Sequence, residues 1–188
     1  MGRSSKLQAG ANRALIVEKA SELFRARGIA EVSVSDIMQA AGMTSGGFYK
    51  HFASKEALAA EAARLAFDRS RQHWDSIASD CPPHPQWRIA ERYLASKPAE
   101  KRCPMMAFGS DLLQHNNAAL VSDCTQGVNA LLTSFLNAAG EKDRSFAGNG
   151  KTLAVFAAMV GANYLSEIIN DPALSDALKT AVLAMLDT

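Results

Sequence analysis

The chain is poor in the residues that most chemistry needs. Its 188 residues include three cysteines, Cys81, Cys103 and Cys124, with no Cys-x-x-Cys pair among them. That excludes a disulfide framework and the usual zinc spacings. The odd count, together with a polar start, MGRSSKLQAGANR, that holds no apolar signal core, leads to the expectation of a reducing, cytoplasmic setting. The longest strongly apolar stretch, Leu153–Ala162, spans ten residues, about half of the ~20 a bilayer-crossing helix needs, so no membrane partner is expected. The four histidines, His51, His73, His84 and His115, show no i,i+4 pairing, and there is no His-Glu-x-x-His. A G-x-S-x-G elbow, a P-loop and a G-x-G-x-x-G turn are missing too. The sequence therefore points to no enzyme activity, no metal and no cofactor.

Charge is nearly balanced overall, at +1, but not evenly distributed. Residues 1–55 carry +4 and residues 56–188 carry −3. A basic head suits phosphate, and an acidic body does not.

The chemistry concentrates in Ser33–Glu56, SVSDIMQAAGMTSGGFYKHFASKE. Ser33 and Asp36 have the spacing of a capping box, with Asp in place of the usual Glu or Gln. Ile37, Met38, Ala40 and Ala41 then supply one apolar face. Gly42 falls where a helix closes with a left-handed residue. Thr44 is placed to cap a following helix, on which Phe48 and Phe52 share a side while Tyr49, Lys50 and His51 point elsewhere. Ser54 reads as the next N-cap. Lys55 puts a cation in a first helical turn, where the helix dipole disfavours it unless an anion lies beside it. Two short helices and a tight turn of this kind offer the second helix to a DNA major groove.

The run AGMTSGGFYKHFASKEAL resembles the TetR family of transcriptional regulators, through Ala41-Gly42, Tyr49-x-x-Phe52 and Ser54-Lys55-Glu56. The likeness is strong over about the first 60 residues; beyond them only the helical layout and the phrase DPALSDAL share it. The resemblance implies an all-α homodimeric repressor that binds double-stranded DNA and releases it for a small-molecule inducer. By position it assigns Thr44, Ser45, Gly47, Tyr49, Lys50 and His51 to the DNA, with Lys55 on a phosphate. The doubled glycine, Gly46-Gly47, departs from the family's habit of a Lys or Arg and a Thr near these places. Each glycine costs a helix interior about 1 kcal/mol relative to Ala. Their use is either close approach of backbone to DNA or tight packing against the first two helices. With fewer side chains present, readout by DNA shape gains weight.

Around this stretch the spacing predicts helices throughout. Residues 1–11 read as disordered. A first helix is expected over about Asn12–Arg27 on Ile16, Ala20, Leu23 and Phe24, ended by Gly28, and a long one from Ser54 to about Ser79 on Leu58, Ala62, Leu65 and Ala66. Pro82, Pro83 and Pro85 interrupt. Further helices follow over Trp87–Leu94, over Met105–Gln114, and from about Ala118 to Ala139 on Val121, Val128, Leu132 and Phe135. Residues 149–170 are apolar on most faces, with Ala154, Ala157, Ala158, Gly161 and Ala162 between larger residues. Such a helix is buried on more than one side, and pairing with a second copy of the chain accounts for it in so small a body. A last amphipathic helix carries Leu178, Val182 and Met185.

Within the body, Trp74, Tyr93, Met105 and Phe108 are candidates to line an apolar inducer pocket, with His115 and Asn163 among the few polar groups able to orient a ligand. Trp87, Met106, Phe135, Phe156 and Tyr164 could join them, as could Asn116 and Glu167. Any one of these is also explained as simple core. Cys103 follows Lys101 and Arg102 and precedes Pro104 at an apparent helix start, a setting that favours thiolate, so it is a candidate redox sensor.

The reading is thus an all-α protein: residues 1–55 a three-helix, helix–turn–helix DNA-binding head with an N-terminal arm, and residues 56–188 a helical ligand-binding and dimerisation domain. The function expected is a ligand-responsive repressor on a palindromic operator. The alternative is a helical small-molecule or redox-sensing protein that has lost operator binding.

Overall fold

The structure is a computed structural model that describes residues 2–80, 83–114, 117–140 and 148–187. Among these there is no strand. The α-helices are α1 (Gly2–Arg27), α2 (Val34–Ala40), α3 (Lys55–Asp80), α4 (Pro85–Leu94), α5 (Pro104–Ala107), α6 (Gly109–Gln114), α7 (Ala118–Ala138), α8 (Gly150–Ile168) and α9 (Pro172–Ala184). Two short 3-10 helices, Ser45–Lys50 and Ala99–Lys101, complete the set. The all-α architecture stands as expected. No helix among the described residues is long and apolar enough to cross a membrane.

The chain divides into two compact units. One comprises Met1–Asp68 with Lys97–Gly127, the other Arg69–Ser96 with Val128–Thr188. In the first, Ile16, Phe24, Ile37, Met38, Phe48 and Leu58 are all but fully enclosed. They come from α1, α2, the 3-10 turn and α3, and α1 also packs on the Ala99–Lys101 turn and on α5. Gly28, at φ +85°, closes α1 in the left-handed region, and its N–H donates to the Phe24 carbonyl at 2.8 Å. Two ion-paired contacts bind α1 to α3. The Arg13 guanidinium meets both oxygens of Glu61, at 2.7 and 2.5 Å, while lying 4.5 Å over the Phe52 ring. The Glu61 hydrogen bond holds the Arg13 pKa above its ordinary value.

α1 differs from expectation at its start. It begins at Gly2 rather than near Asn12. Residues 2–11 have no apolar stripe to announce a helix, but they also contain no proline, and Gln8 Nε2 donates to Asn12 Oδ1 one turn on at 2.9 Å. Helix α7 differs in part in its buried face. Of the expected positions Leu132 and Phe135 are buried, Val128 is half-buried and Val121 is exposed, while Leu120, Cys124, Leu131 and Leu136 are buried besides. Both overlapping apolar stripes of this helix are used.

In the second unit the Trp74 ring is packed against Tyr93 (centroids 5.7 Å apart), Phe135 (6.1 Å) and Phe156 (6.2 Å). Gln86 Nε2 donates to the Phe135 carbonyl at 3.0 Å, and Ser134 Oγ to Asp75 at 2.7 Å. α8 and α9 pack on each other and both on α4. α9 starts on a capped turn, with Pro172 at its head and the Asp171 carboxylate accepting from Leu174 N at 3.1 Å. α8 buries Val155, Phe156, Met159 and Ala162 on one side. Its other side leaves Ala154, Ala157, Tyr164, Leu165 and Ile168 exposed, and α9 exposes Leu174, Ala177, Ala181 and Met185 in helical register.

Candidate nucleic-acid interface

The site is built from its first cap. Ser33 N and Ser33 Oγ both donate to the Asp36 carboxylate, at 2.9 and 2.8 Å, and Asp36 N donates to Ser33 Oγ at 3.1 Å. This is the full reciprocal capping box. The Ser33 donors hold the Asp36 carboxyl below its ordinary pKa. Gly42, at φ +69°, ends α2, and Met43 N returns to the Met38 carbonyl at 2.8 Å. The chain then turns into Ser45–Lys50, which is a 3-10 helix, tighter than the α-helix that Phe48 and Phe52 suggested. Thr44 stands at its N-cap without a side-chain cap hydrogen bond. Ser45 Oγ instead donates to Ser35 Oγ on α2 at 3.2 Å.

Phe48 and Phe52 are buried, their ring centroids 5.6 Å apart, and they hold the segment to the core. What they present outward is the candidate set. Thr44, Ser45 and Lys50 are exposed, Gly47 and His51 half-buried, and Tyr49 is 74% exposed with the edge of Phe48 against its ring. A single exposed aromatic is ordinary in itself, and this one counts because it stands among the exposed polar groups of the same short face. The glycines sharpen this. A Cβ on Gly46 would meet nothing within 4 Å, and one on Gly47 would meet only Met38 Cε at an ordinary 3.6 Å. Neither has a positive φ. Tight packing within the head therefore does not account for either of them.

Lys55 has a partner the sequence did not disclose. Its Nζ donates to the Val32 carbonyl at 2.8 Å, holding the turn that leads into α2. An ammonium has three donors, so this bond leaves capacity for a phosphate oxygen. Ser54 caps α3 as expected, accepting from Ala57 N at 3.1 Å. Three further contacts tie the head to the 97–127 segment of its own unit, and sequence spacing gave no sign of them. Arg102 Nη1 donates to the Arg25 carbonyl at 3.1 Å, Ile29 N to the buried Asp111 carboxylate at 3.3 Å, and Asn117 Nδ2 to the Glu56 carbonyl at 3.1 Å.

The ligand candidates are not gathered by either unit. Met105 and Phe108 belong to the first; Trp74, Tyr93 and Asn163 belong to the second, where Trp74 and Tyr93 are ring-on-ring core. His115 and Asn116 lie outside the described residues, as does Cys81. Cys103 is buried at the start of α5, and the neighbouring Arg102 guanidinium is turned to the end of α1. Burial, with Asp123 and Asp111 adding to it, pushes the Cys124 thiol up to about 12, which makes it a packing group rather than a nucleophile at neutral pH. No cluster of His, Cys, Asp or Glu able to hold a metal occurs among the described residues.

A capped helix, a left-handed glycine turn and a second short helix with an outward polar face, all on a helical body, define a helix–turn–helix regulator fold. The sequence model for bacterial regulatory proteins of the tetR family matches residues 16–62. Over that segment the chain is similar to the TetR family of transcriptional regulators. It is 34% identical over 89 residues to the transcriptional repressor KstR2 of Mycobacterium tuberculosis, covering 47% of this chain and 44% of that protein. It is 29% identical over 132 residues to the transcriptional regulator TtgR of Pseudomonas putida, covering 70% and 54%. The chain thus spans about half the length of these curated relatives. In fold it is similar to the crystal structure of a TetR-family regulator from Cytophaga hutchinsonii, with a TM-score of 0.78 at 15% identity, over 96% of this chain and 95% of that one.

Proposed function

We propose that the chain is a ligand-responsive repressor that binds a near-palindromic DNA operator as a homodimer. The observation that carries this is the outward face of Thr44–Lys50. It is fixed from below by Phe48 and Phe52, it bears a largely exposed Tyr49, and it contains two glycines that the head's own packing does not require. Backbone lying flat on DNA gives those glycines a use. Tyr49, Lys50 and Lys55 take phosphates and set register; Thr44, Ser45 and His51 are left to read bases or groove shape.

The bare apolar faces of α8 and α9 support dimerisation, since a second copy supplies a matching surface by two-fold symmetry. Similarity to the TetR family supports a small-molecule inducer, the body from 56 onward being its proposed place. The inducer proposed is an apolar small molecule near Trp74, Tyr93, Met105 or Phe108, and oxidation at Cys103 is the second route to release. Repressor action is proposed on the same footing, from relatives of that name.

Selection of bound sequences from random duplex DNA is the test. The result expected is inverted half-sites about one helical turn, or a multiple, apart, lost in Tyr49→Ala at unchanged helical content. Absence of any enriched sequence refutes operator binding and leaves a helical small-molecule or redox sensor.

A further inference from the structure

The first unit contains a half-open cleft of about 440 Å³. Three chain segments line it: Ile29 and Ala30 from the turn after α1, Lys55 and Glu56 from the first turn of α3, and Asn117, Ala118 and Leu120 from the start of α7. Its size falls within the ~300–1,000 Å³ typical of small-molecule sites. It shares no residue with the inducer site proposed above.

Its chemistry is two-sided. Ile29 and Leu120 are buried and give it an apolar floor, while Ala30, Glu56 and Ala118 stand exposed at the rim. Lys55 supplies the cation in the lining, half-buried, its Nζ held at one donor by the Val32 carbonyl and with two further donors by valence. Asn117 is engaged at both its amide oxygen and its amide nitrogen. Its Oδ1 accepts from Leu120 N at 3.0 Å, and its Nδ2 donates to the Glu56 carbonyl at 3.1 Å, so the first turns of α3 and α7 are pinned together. Those two helix starts add positive dipole ends to the same cleft. The Glu56 carboxylate at the rim counts against a polyanion, and the apolar floor counts against a small inorganic one.

We infer that this cleft is a binding site for a small organic carboxylate with an apolar body, its carboxylate on Lys55 Nζ and its body on Ile29 and Leu120. A ligand there takes Lys55 in competition with the Val32 carbonyl, and so acts directly on the turn that positions α2. The inference stands whether or not the chain binds an operator, and its test is run without DNA.

The probes are cinnamate and its uncharged amide, cinnamamide, titrated into isotopically labelled protein and followed by amide chemical shifts. Cinnamate should shift amides of the 29–32 and 117–120 segments, and cinnamamide should bind at least about tenfold more weakly, because it forfeits the charge-assisted bond to Lys55. Ala118→Trp, and separately Ala30→Trp, fill the cleft from its exposed rim and should weaken cinnamate by about tenfold or more at unchanged circular dichroism. Glu56→Gln should tighten it. Equal affinity for acid and amide overturns the inference, as does binding that both Trp variants leave intact, or the absence of cinnamate-dependent shifts in these two segments. If either Trp variant fails to fold, the acid–amide contrast and the positions of the shifted amides in the wild-type chain decide alone.

Discussion

Gly127→Ala is the sharpest test of the packing described here, because two effects of opposite sign compete at that position. Gly127 lies inside α7, where alanine is favoured over glycine by about 1 kcal/mol on helix propensity alone. A Cβ there, however, would lie 2.2 Å from Phe67 Cγ and 2.5 and 2.6 Å from the two Cδ atoms. Ordinary contact begins at 3.4 Å, so the ring must recede by about 1.2 Å. Phe67 is 3% exposed, so no open space receives it. Overpacking of a closed site costs about 1–3 kcal/mol, and a ring met face-on by a methyl belongs at the upper end. The net expectation is a loss of about 2 kcal/mol, which for a chain of this length is about 4–8 °C in Tm. Thermal and urea unfolding at one fixed protomer concentration measure it, so that any self-association acts equally on both proteins. Phe67→Leu should cost stability alone yet rescue part of the Gly127→Ala loss, a coupling of about 1 kcal/mol or more. A Gly127→Ala protein as stable as wild type, or more so, refutes the close α3–α7 approach.

Four other outcomes are expected. Lys55→Ala should weaken DNA binding across sequences and lower the salt slope by about 1; a weaker affinity with an unchanged slope would assign Lys55 to holding the Val32 carbonyl alone. The Asp36 capping carboxylate has a depressed pKa, so its contribution is present above the ordinary carboxylate range of about 4 and lost as pH falls through its lowered value. Asp36→Ala should accordingly flatten the fall in stability at acid pH, and Ser33→Ala should cost about 1 kcal/mol at neutral pH, both by urea titration. Gly161→Glu should give a folded monomer in sedimentation, because a Cβ there meets nothing within 4 Å in the protomer and, on the proposed dimer, a buried charge would face the second copy; a folded dimer would move the interface elsewhere.

What could be read from the sequence was local. The Ser33–Asp36 box, the Gly42 stop, the Ser54 cap and the Phe48–Phe52 pair are each decided within four residues, and each is where its spacing put it. What could not be read was either a choice between near-equal local states or a contact between distant residues. The 3-10 form of Ser45–Lys50 is a choice of the first kind, in which two glycines remove the preference for the wider helix. The extension of α1 to Gly2 is another, since polar sequence without proline carries propensity but no stripe. Distance hid the rest. Lys55 finds Val32 from 23 positions away, Arg13 finds Glu61 from 48, and Asp111 finds Ile29 from 82. Aromatic residues at helical spacing serve core packing and pocket lining equally well, so spacing alone did not disclose that Trp74 and Tyr93 pack ring on ring.

The contacts made by the Lys55, Arg102, Asp111 and Asn117 side chains share a property that bears on how the head is controlled. All four groups that these side chains engage, Arg25 O, Ile29 N, Val32 O and Glu56 O, are main-chain atoms, and the first three lie between Arg25 and Val32. Recipients of that kind keep their hydrogen-bonding capacity under any substitution except a proline at Ile29, so the specificity of the connection resides in Arg102, Asp111, Lys55 and Asn117. Three of these four come from the 97–127 segment, on the far side of α4 in sequence. Any event that moves this segment must either drag the turn between α1 and α2 with it or break bonds to partly or fully buried groups, and a stranded Asp111 carboxylate is the costliest of the outcomes. Linkage then runs both ways. A ligand that favours the displaced segment weakens DNA binding by the same factor by which DNA weakens the ligand. Asp111→Asn keeps the side chain's shape while weakening its hold on Ile29 N, so it should reduce that factor while leaving each separate affinity nearer to its wild-type value than the coupling between them.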